Sequence, residues 1–230
     1  MSLAVRATEL RELMDDPACD PDRLAATLRR FDLVNRAIGG WGRVWRRGIS
    51  PRLQRLGRPA RVLDVGSGGG DVVARLAAMA DADGLDVDWL GIDPDPRALA
   101  VARERARPGV AFACTDAAGL VASGERFDVV LSNHVLHHLT DTELPEFIAE
   151  TSALSRGPVL HADIARGRLP YALYGIGITA LERGTFLRTD GLRSIRRSYR
   201  RDELQRTLGR EWRVTSPVPF RLLAIGPGRA

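Results

Sequence analysis

An α/β fold built on a mostly parallel sheet is what the sequence predicts, on three observations. Residues 60–163 alternate short apolar runs with helical patterns, the mark of parallel strands joined by crossover helices. The first apolar run, 62–65, passes directly into a glycine turn (Gly66, Gly68, Gly69, Gly70), and a helical pattern follows at once. Near the C-terminus, the runs 212–215 and 220–225 flank Pro217 and Pro219 and read as an antiparallel pair. They bring the sheet to seven strands, with the last one antiparallel.

The elements follow in order. Residues 4–16 read as a short helix. Asp20 stands before Pro21 and Asp22, a cap and first-turn arrangement that starts a second helix running to Leu33 or beyond. Residues 31–45 are dense in aromatics and glycines, and a helix should follow them to about Leu56. Gly57-Arg58-Pro59 then leads into the first strand. Strands are expected near 61–65, 87–92, 110–114, 127–132 and 158–163. Helices are expected near 70–82, 95–107, 117–122 and 141–155. The stretch 166–200 is too long for a plain connection, and a helix at 201–208 follows it. The organisation is a helical cap at 1–57 and a ligand-binding domain at 58–230, with 166–200 as an inserted lid.

Composition narrows the class. The chain has 230 residues, with 44% hydrophobic and 27% charged, as expected of a globular domain. No apolar run approaches the roughly 18–20 residues of a membrane span. A cytoplasmic protein with reduced thiols is the expectation, since Cys19 and Cys114 are the two cysteines. All 34 basic residues are arginine and the net charge is only +5, too small to argue for nucleic acid. Arg193, Arg196, Arg197, Arg200 and Arg201 cluster locally and read first as a solvated helix face.

The glycine turn points to a nucleotide-type ligand. Glycines let the backbone approach a ligand closely, and the helix behind them offers free N–H groups. A dinucleotide fingerprint needs G-x-G-x-x-G, whereas Asp71 stands where the third glycine would be. A P-loop needs lysine, and the sequence contains none. Asp64, just before the turn, would repel a pyrophosphate and suits a ligand bearing an ammonium group. S-adenosylmethionine carries one and has no phosphate. Asp93, roughly 20 residues on, suits a ribose diol, a need that NAD and S-adenosylmethionine share.

Taken together, VLDVGSGGG (62–70), GIDPDP (91–96), CTDAAGL (114–120) and FDVVLSNHVLHHL (127–139) resemble the successive signature motifs of class I SAM-dependent methyltransferases. The small-molecule branch, with the ubiquinone and menaquinone biosynthesis type, is the nearest in flavour. The resemblance covers about residues 58–165. It implies a Rossmann-like fold with S-adenosylmethionine as cofactor. By position, it implies Asp64, Gly66, Ser67, Gly68 and Gly70 on the methionine and ribose side. Asp93 would hold the ribose, with Pro94 beside the adenine. Asp116 would accept from the adenine amino group, next to Ala117. Ser132, Asn133 and His134 would lie near the transferred methyl.

Methyl transfer is an in-line displacement helped by proximity and, for phenols or enols, by a base. His134, His137 and His138 are the candidate bases, with His161 behind them. The resemblance equally allows these rings to be local packing groups. A metal is not expected, because no well-placed carboxylate partner is evident. Phe31, Trp41, Trp45, Tyr171 and Tyr174 are candidates to stack on an acceptor, or core residues. Arg36, Arg43 and Arg168 are candidates to hold an acceptor's anionic group. Ser132-Asn133-His134-Val135 lacks the Pro-Pro-aromatic pattern of base-amino methyltransferases, which counts against nucleic acid as a partner.

The expectation is a SAM-dependent methyltransferase that acts on a small phenolic, quinone-precursor or polyketide-type acceptor. O-methylation comes first and C-methylation second, with secondary metabolism as the setting. A monomer or homodimer is expected, with no membrane partner. A nicotinamide-dependent oxidoreductase and a non-catalytic SAM-binding protein are the alternatives.

Overall fold

The computed structural model describes residues 3–230. Seven strands form one sheet: β1 (Ala60–Val65), β2 (Val87–Asp93), β3 (Val110–Cys114), β4 (Val129–Asn133), β5 (Pro158–Ile164), β6 (Arg213–Thr215) and β7 (Arg221–Pro227). Their order is β3-β2-β1-β4-β5-β7-β6. β7 pairs antiparallel with both β5 and β6, while the first five strands are parallel. The chain therefore winds outward from β1 in both directions, and the crevice at the carboxyl ends of β1 and β4 is where such a sheet receives a ligand.

The helices are α1 (Pro21–Ile38), α2 (Trp41–Val44), α3 (Ser50–Gln54), α4 (Asp71–Ala82), α5 (Pro96–Ala102), α6 (Ala117–Ala122), α7 (Glu143–Leu154), α8 (Arg168–Gly177), α9 (Leu187–Arg197) and α10 (Arg201–Leu208). A π-helical turn, Trp45–Ile49, joins α2 to α3. The Asp20 carboxylate accepts from the N–H groups of Asp22 and Arg23, so α1 begins where its cap and Pro21 dictate.

Alternation along β1 sorts the core into two layers. Val62 faces Trp41, Trp45, Leu76, Leu131 and Leu160 on one side of the sheet. Leu63 and Val65 face Val130, Val159, Leu204 and Trp212 on the other. Each fully buried side chain of this kind contributes about 1.5–3 kcal/mol by leaving water. A third cluster, with Leu24, Leu28, Ala98, Val101 and Phe186, seats α1 on α5 and on the start of α9.

The structure corrects two expectations here. Residues 4–16 form no helix; they run as a strap of bends and turns. Beyond single turns such as Leu10 N–H to the Ala7 carbonyl, the strap's backbone groups bond to the lid. Leu13 and Met14 N–H groups donate to the Asp190 carboxylate, and Ala7 N–H donates to the Arg196 carbonyl. The arginine cluster is also not a simple solvated face. Arg193 donates to the Arg11 carbonyl, Arg200 to the Leu3 carbonyl, and Arg197 is buried against the carbonyls of His137 and His138. Of the two readings open for Trp41 and Trp45, the core one fits: both are fully buried.

Candidate functional site

A cavity of about 770 Å³ opens over the carboxyl ends of β1, β2 and β4, between the strap, α1 and the lid helices α8 and α9. It has two chemically different walls.

The first wall comes from the β1 turn. Gly66 has φ 72°, and a Cβ there would meet Val135 Cγ2 at 2.6 Å, so this position admits only glycine without strain. Gly70, at φ 76°, is the residue preceding α4, and a Cβ there would strike the Phe112 ring. The Gly66 and Ser67 N–H groups donate to the Ile92 carbonyl, which ties the turn to β2. Asp93 on β2 accepts from the Gly68 and Asp95 N–H groups, one on each carboxylate oxygen. Asp71 accepts from Asn35 Nδ2 at 2.9 Å. Asp64 is 1% exposed, and its Oδ1 makes no hydrogen bond.

These three carboxylates are pushed upward in pKa. Burial raises Asp64 well above the usual carboxylate range, and the charges of Asp71 and Asp93 add to it. Burial likewise raises Asp71 and Asp93, against the hydrogen bonds each receives. A wall of crowded, buried acids with one unpartnered oxygen disfavours a pyrophosphate and favours a cationic ligand group.

The second wall is assembled from distant parts of the chain. His134 follows β4 with φ 64°, a backbone conformation uncommon for a non-glycine residue. Its Nε2 accepts from Arg221 Nη1 at 2.7 Å, and Arg221 Nη2 donates to Asn133 Oδ1 at 2.8 Å. Asn133 Oδ1 also accepts from Trp41 Nε1. Burial, then the neighbouring Arg221 charge, holds His134 well below the usual histidine range. His134 is therefore neutral with its lone pair engaged, and it is a poor base.

His137 is the opposite case. Its Nδ1 lies 2.7 Å from Asp163 Oδ1 and its Nε2 lies 3.2 Å from Glu12 Oε1. Against the downward push of burial, these carboxylates raise it to about 9. Glu12 is buried too, yet His138 and His137 hold it at about 2, helped by the Ser194 hydroxyl at 2.6 Å. His137 is thus an imidazolium with no free lone pair. His138 is 30% exposed by its side chain; its Nε2 stands 3.6 Å from Glu12 and its Nδ1 3.2 Å from Asp15. The expectation that no carboxylate stands near these rings is corrected: Glu12, Asp15 and Asp163 all do.

Of the residues singled out in the sequence, Asp64, Gly66, Ser67, Gly68, Asp93, Pro94, Asn133, His134, His137 and His138 line the cavity, as do Phe31 and Tyr174. Ser132 does not face it. Its hydroxyl pairs with His161 Nδ1, and His161 stacks on Trp212 across the sheet. Burial pushes His161 down to about 3, so it is a core ring and not a base. Asp116 caps α6 by accepting from the Gly119 N–H, with Ala117 buried behind it; neither borders the cavity. Arg36 pairs with Asp32, and Arg43 donates to the Pro217 carbonyl.

Sequence reasoning missed Glu12, Asn35, Asp163, Asp190 and Arg221. Asp163 and Arg221 did leave a trace: each is a charge at the end of an otherwise apolar run. Glu12 and Asn35 left none, because their partners lie far away in the chain.

Comparison with known proteins gives a consistent result. Residues 62–156 match the family described as "Methyltransferase domain". The ubiquinone biosynthesis O-methyltransferase of Mesorhizobium japonicum is 30% identical over 169 residues, which is 70% of this chain and 63% of that protein. The chain thus spans less than two thirds of that relative's length. Among solved structures, the plantazolicin methyltransferase BpumL in complex with SAH aligns over 91% of this chain and 95% of its own, at a TM-score of 0.60 and 14% identity. Human N-acetylserotonin methyltransferase in complex with SAM aligns over 74% of this chain and 48% of its own, at a TM-score of 0.53 and 12% identity. These likenesses establish the class I methyltransferase fold.

Proposed function

We propose, starting from the methyltransferase domain at residues 62–156, that this chain is a SAM-dependent methyltransferase acting on a hydroxyl of a small organic acceptor. The unpartnered buried Asp64 oxygen in a wall of three carboxylates carries the reading. Such a wall fits the ammonium and sulfonium charges of S-adenosylmethionine and does not fit the pyrophosphate of NAD. Asp64 would face the ammonium and Asp93 the ribose hydroxyls, while Gly66 and Gly68 let the backbone approach. S-adenosylmethionine supplies an electrophilic methyl, and the protein's share is to orient the acceptor and ease loss of its proton.

Arg221 suggests the acceptor's character. It is buried, its hydrogen-bond partners Asn133 and His134 are neutral, and burial lowers it to about 10. A guanidinium in a cavity wall favours an oxygen that becomes anionic, as a phenol or enol does. The name of the Mesorhizobium relative supports O-methylation of a phenolic, quinone-precursor type of acceptor. The apolar lining from Leu24, Leu28, Phe31 and Leu173 suits an aromatic body. His134 and His137 have no available lone pair, so His138 alone stays a candidate for handling the acceptor's proton. Small-molecule partners and a cytoplasmic setting of secondary metabolism remain part of this proposal.

The test is calorimetric titration with SAM and NADH, followed by methyl transfer to phenols of graded acidity. The reading expects SAM binding, no NADH binding, and transfer that improves with phenol acidity. Binding of NADH without SAM would refute it.

A further inference from the structure

The two histidines at 137 and 138 converge in an unusual way. Both Nε2 atoms approach the same oxygen, Glu12 Oε1, at 3.2 and 3.6 Å. Both Nδ1 atoms stand near a carboxylate of their own: Asp163 at 2.7 Å and Asp15 at 3.2 Å. All three potential ligand atoms lie within 4.8 Å of one another, and all three residues border the cavity.

His137 already stands between two buried carboxylates, Glu12 and Asp163. What a simple ion pair does not require is a second ring, His138, with its Nε2 turned to the same Glu12 oxygen and a carboxylate at its far nitrogen. A carboxylate at Nδ1 fixes the tautomer and turns Nε2 outward as a ligand, which is the usual outer arrangement of a metal-bound histidine. Ligand atoms about 2.0–2.1 Å from one tetrahedral ion stand roughly 3.3–3.4 Å apart, which the observed spacings bracket. Two imidazoles and one carboxylate leave further coordination positions open.

We propose that Glu12, His137 and His138 form a binding site for one divalent transition-metal cation, with an open position facing the cavity. The nitrogen-rich donor set selects a zinc-type ion over magnesium or calcium. On binding, the cation takes the place of the proton on His137 Nε2, and that proton leaves to solvent. His138 then acts as a ligand and not as a base. The open position would take an acceptor oxygen, whose proton a bound cation makes more acidic. Metal binding stands or falls apart from the methyl-transfer reading; the acceptor oxygen at the open position rests on that reading.

Cobalt(II) chloride titrated into the full chain at neutral pH, followed by visible absorption, tests it without any substrate. One Co²⁺ per chain is expected, with the intensified d–d bands of a low-coordinate site, displaced by Zn²⁺. His138→Ala should weaken binding by more than the roughly 10–100-fold that losing an outer partner costs. His138 is partly exposed, so this variant keeps the His137–Glu12–Asp163 contacts that hold the strap. Glu12→Gln should act likewise, while Cys114→Ser, which removes an exposed thiol, should leave binding intact. Absence of a saturable band would overturn the proposal. So would a one-to-one band that survives both His138→Ala and Glu12→Gln.

Discussion

The two walls of the cavity are built on opposite plans. The Asp64–Asp71–Asp93 wall is contiguous with one turn and its neighbouring strand, and its acids lack cationic hydrogen-bond partners. The facing wall draws Glu12 from the strap, His137 from the β4 loop, Asp163 from β5 and Arg221 from β7; its two acids pair with His137, while Arg221 bonds to neutral groups. The first wall holds acids that burial pushes toward their neutral form, and a cationic ligand would favour their ionised form. The second holds Glu12 and Asp163 on the His137 imidazolium and leaves the Arg221 guanidinium with neutral partners, so its properties are set by how its members orient one another.

Substitutions that separate the walls should show this difference, and the largest effect is expected at Asp64. Asp64→Asn keeps the shape and removes the charge. Losing a charge-assisted hydrogen bond costs about 1.5–3 kcal/mol, so SAM affinity measured by calorimetry should fall about 10–100-fold. The ligand-free protein should become more stable at neutral pH. The sign follows from linkage: a carboxyl raised in the folded state costs stability once pH exceeds its unfolded value of about 3.9. A thermal melt of the ligand-free variant should therefore rise.

Arg221→Met probes the other wall. Acceptor turnover should fall about 10–100-fold, again the scale of a charged hydrogen bond, while SAM affinity stays within about twofold. A parallel loss of SAM affinity would mean that the walls are not separable. Next in size is Gly66→Ala, which forces a Cβ onto Val135 at positive φ. A loss of about 1–3 kcal/mol is expected in denaturant unfolding. Val135→Ala in addition should recover the steric part and leave the conformational part. The smallest effect is expected at Arg36, whose exposed ion pair with Asp32 lies on α1. Arg36→Ala should shift stability by no more than about 0.5 kcal/mol and leave turnover unchanged.

The contrast also explains what could be read in the sequence. The first wall depends on local rules: an apolar strand, glycines at positive φ, a helix start. Asp64, Gly66 and Asp93 are legible because each sits at a fixed offset in one strand–turn–helix unit. The five parallel strands follow from the same alternation, and the antiparallel close from the paired runs around Pro217 and Pro219. The second wall depends on which distant segments the fold brings together. Glu12 meets His137 across 125 positions, a separation on which periodicity has nothing to say. The strap was misread for a related reason. Leu10, Leu13 and Met14 have helical spacing, but Asp190 and the lid's backbone take up hydrogen-bonding groups of the strap instead. The lid arginines in turn looked solvent-facing because their carbonyl partners carry no sequence signal.

The central claim is that the acidic first wall selects a cationic, phosphate-free cofactor. Parallel calorimetric titrations of the full chain and of Asp64→Asn with SAM and with NADH test it most directly. The account expects SAM to bind the unaltered chain, to bind Asp64→Asn about 10–100-fold more weakly, and NADH to bind neither. Tight NADH binding, or SAM affinity indifferent to Asp64, would contradict it.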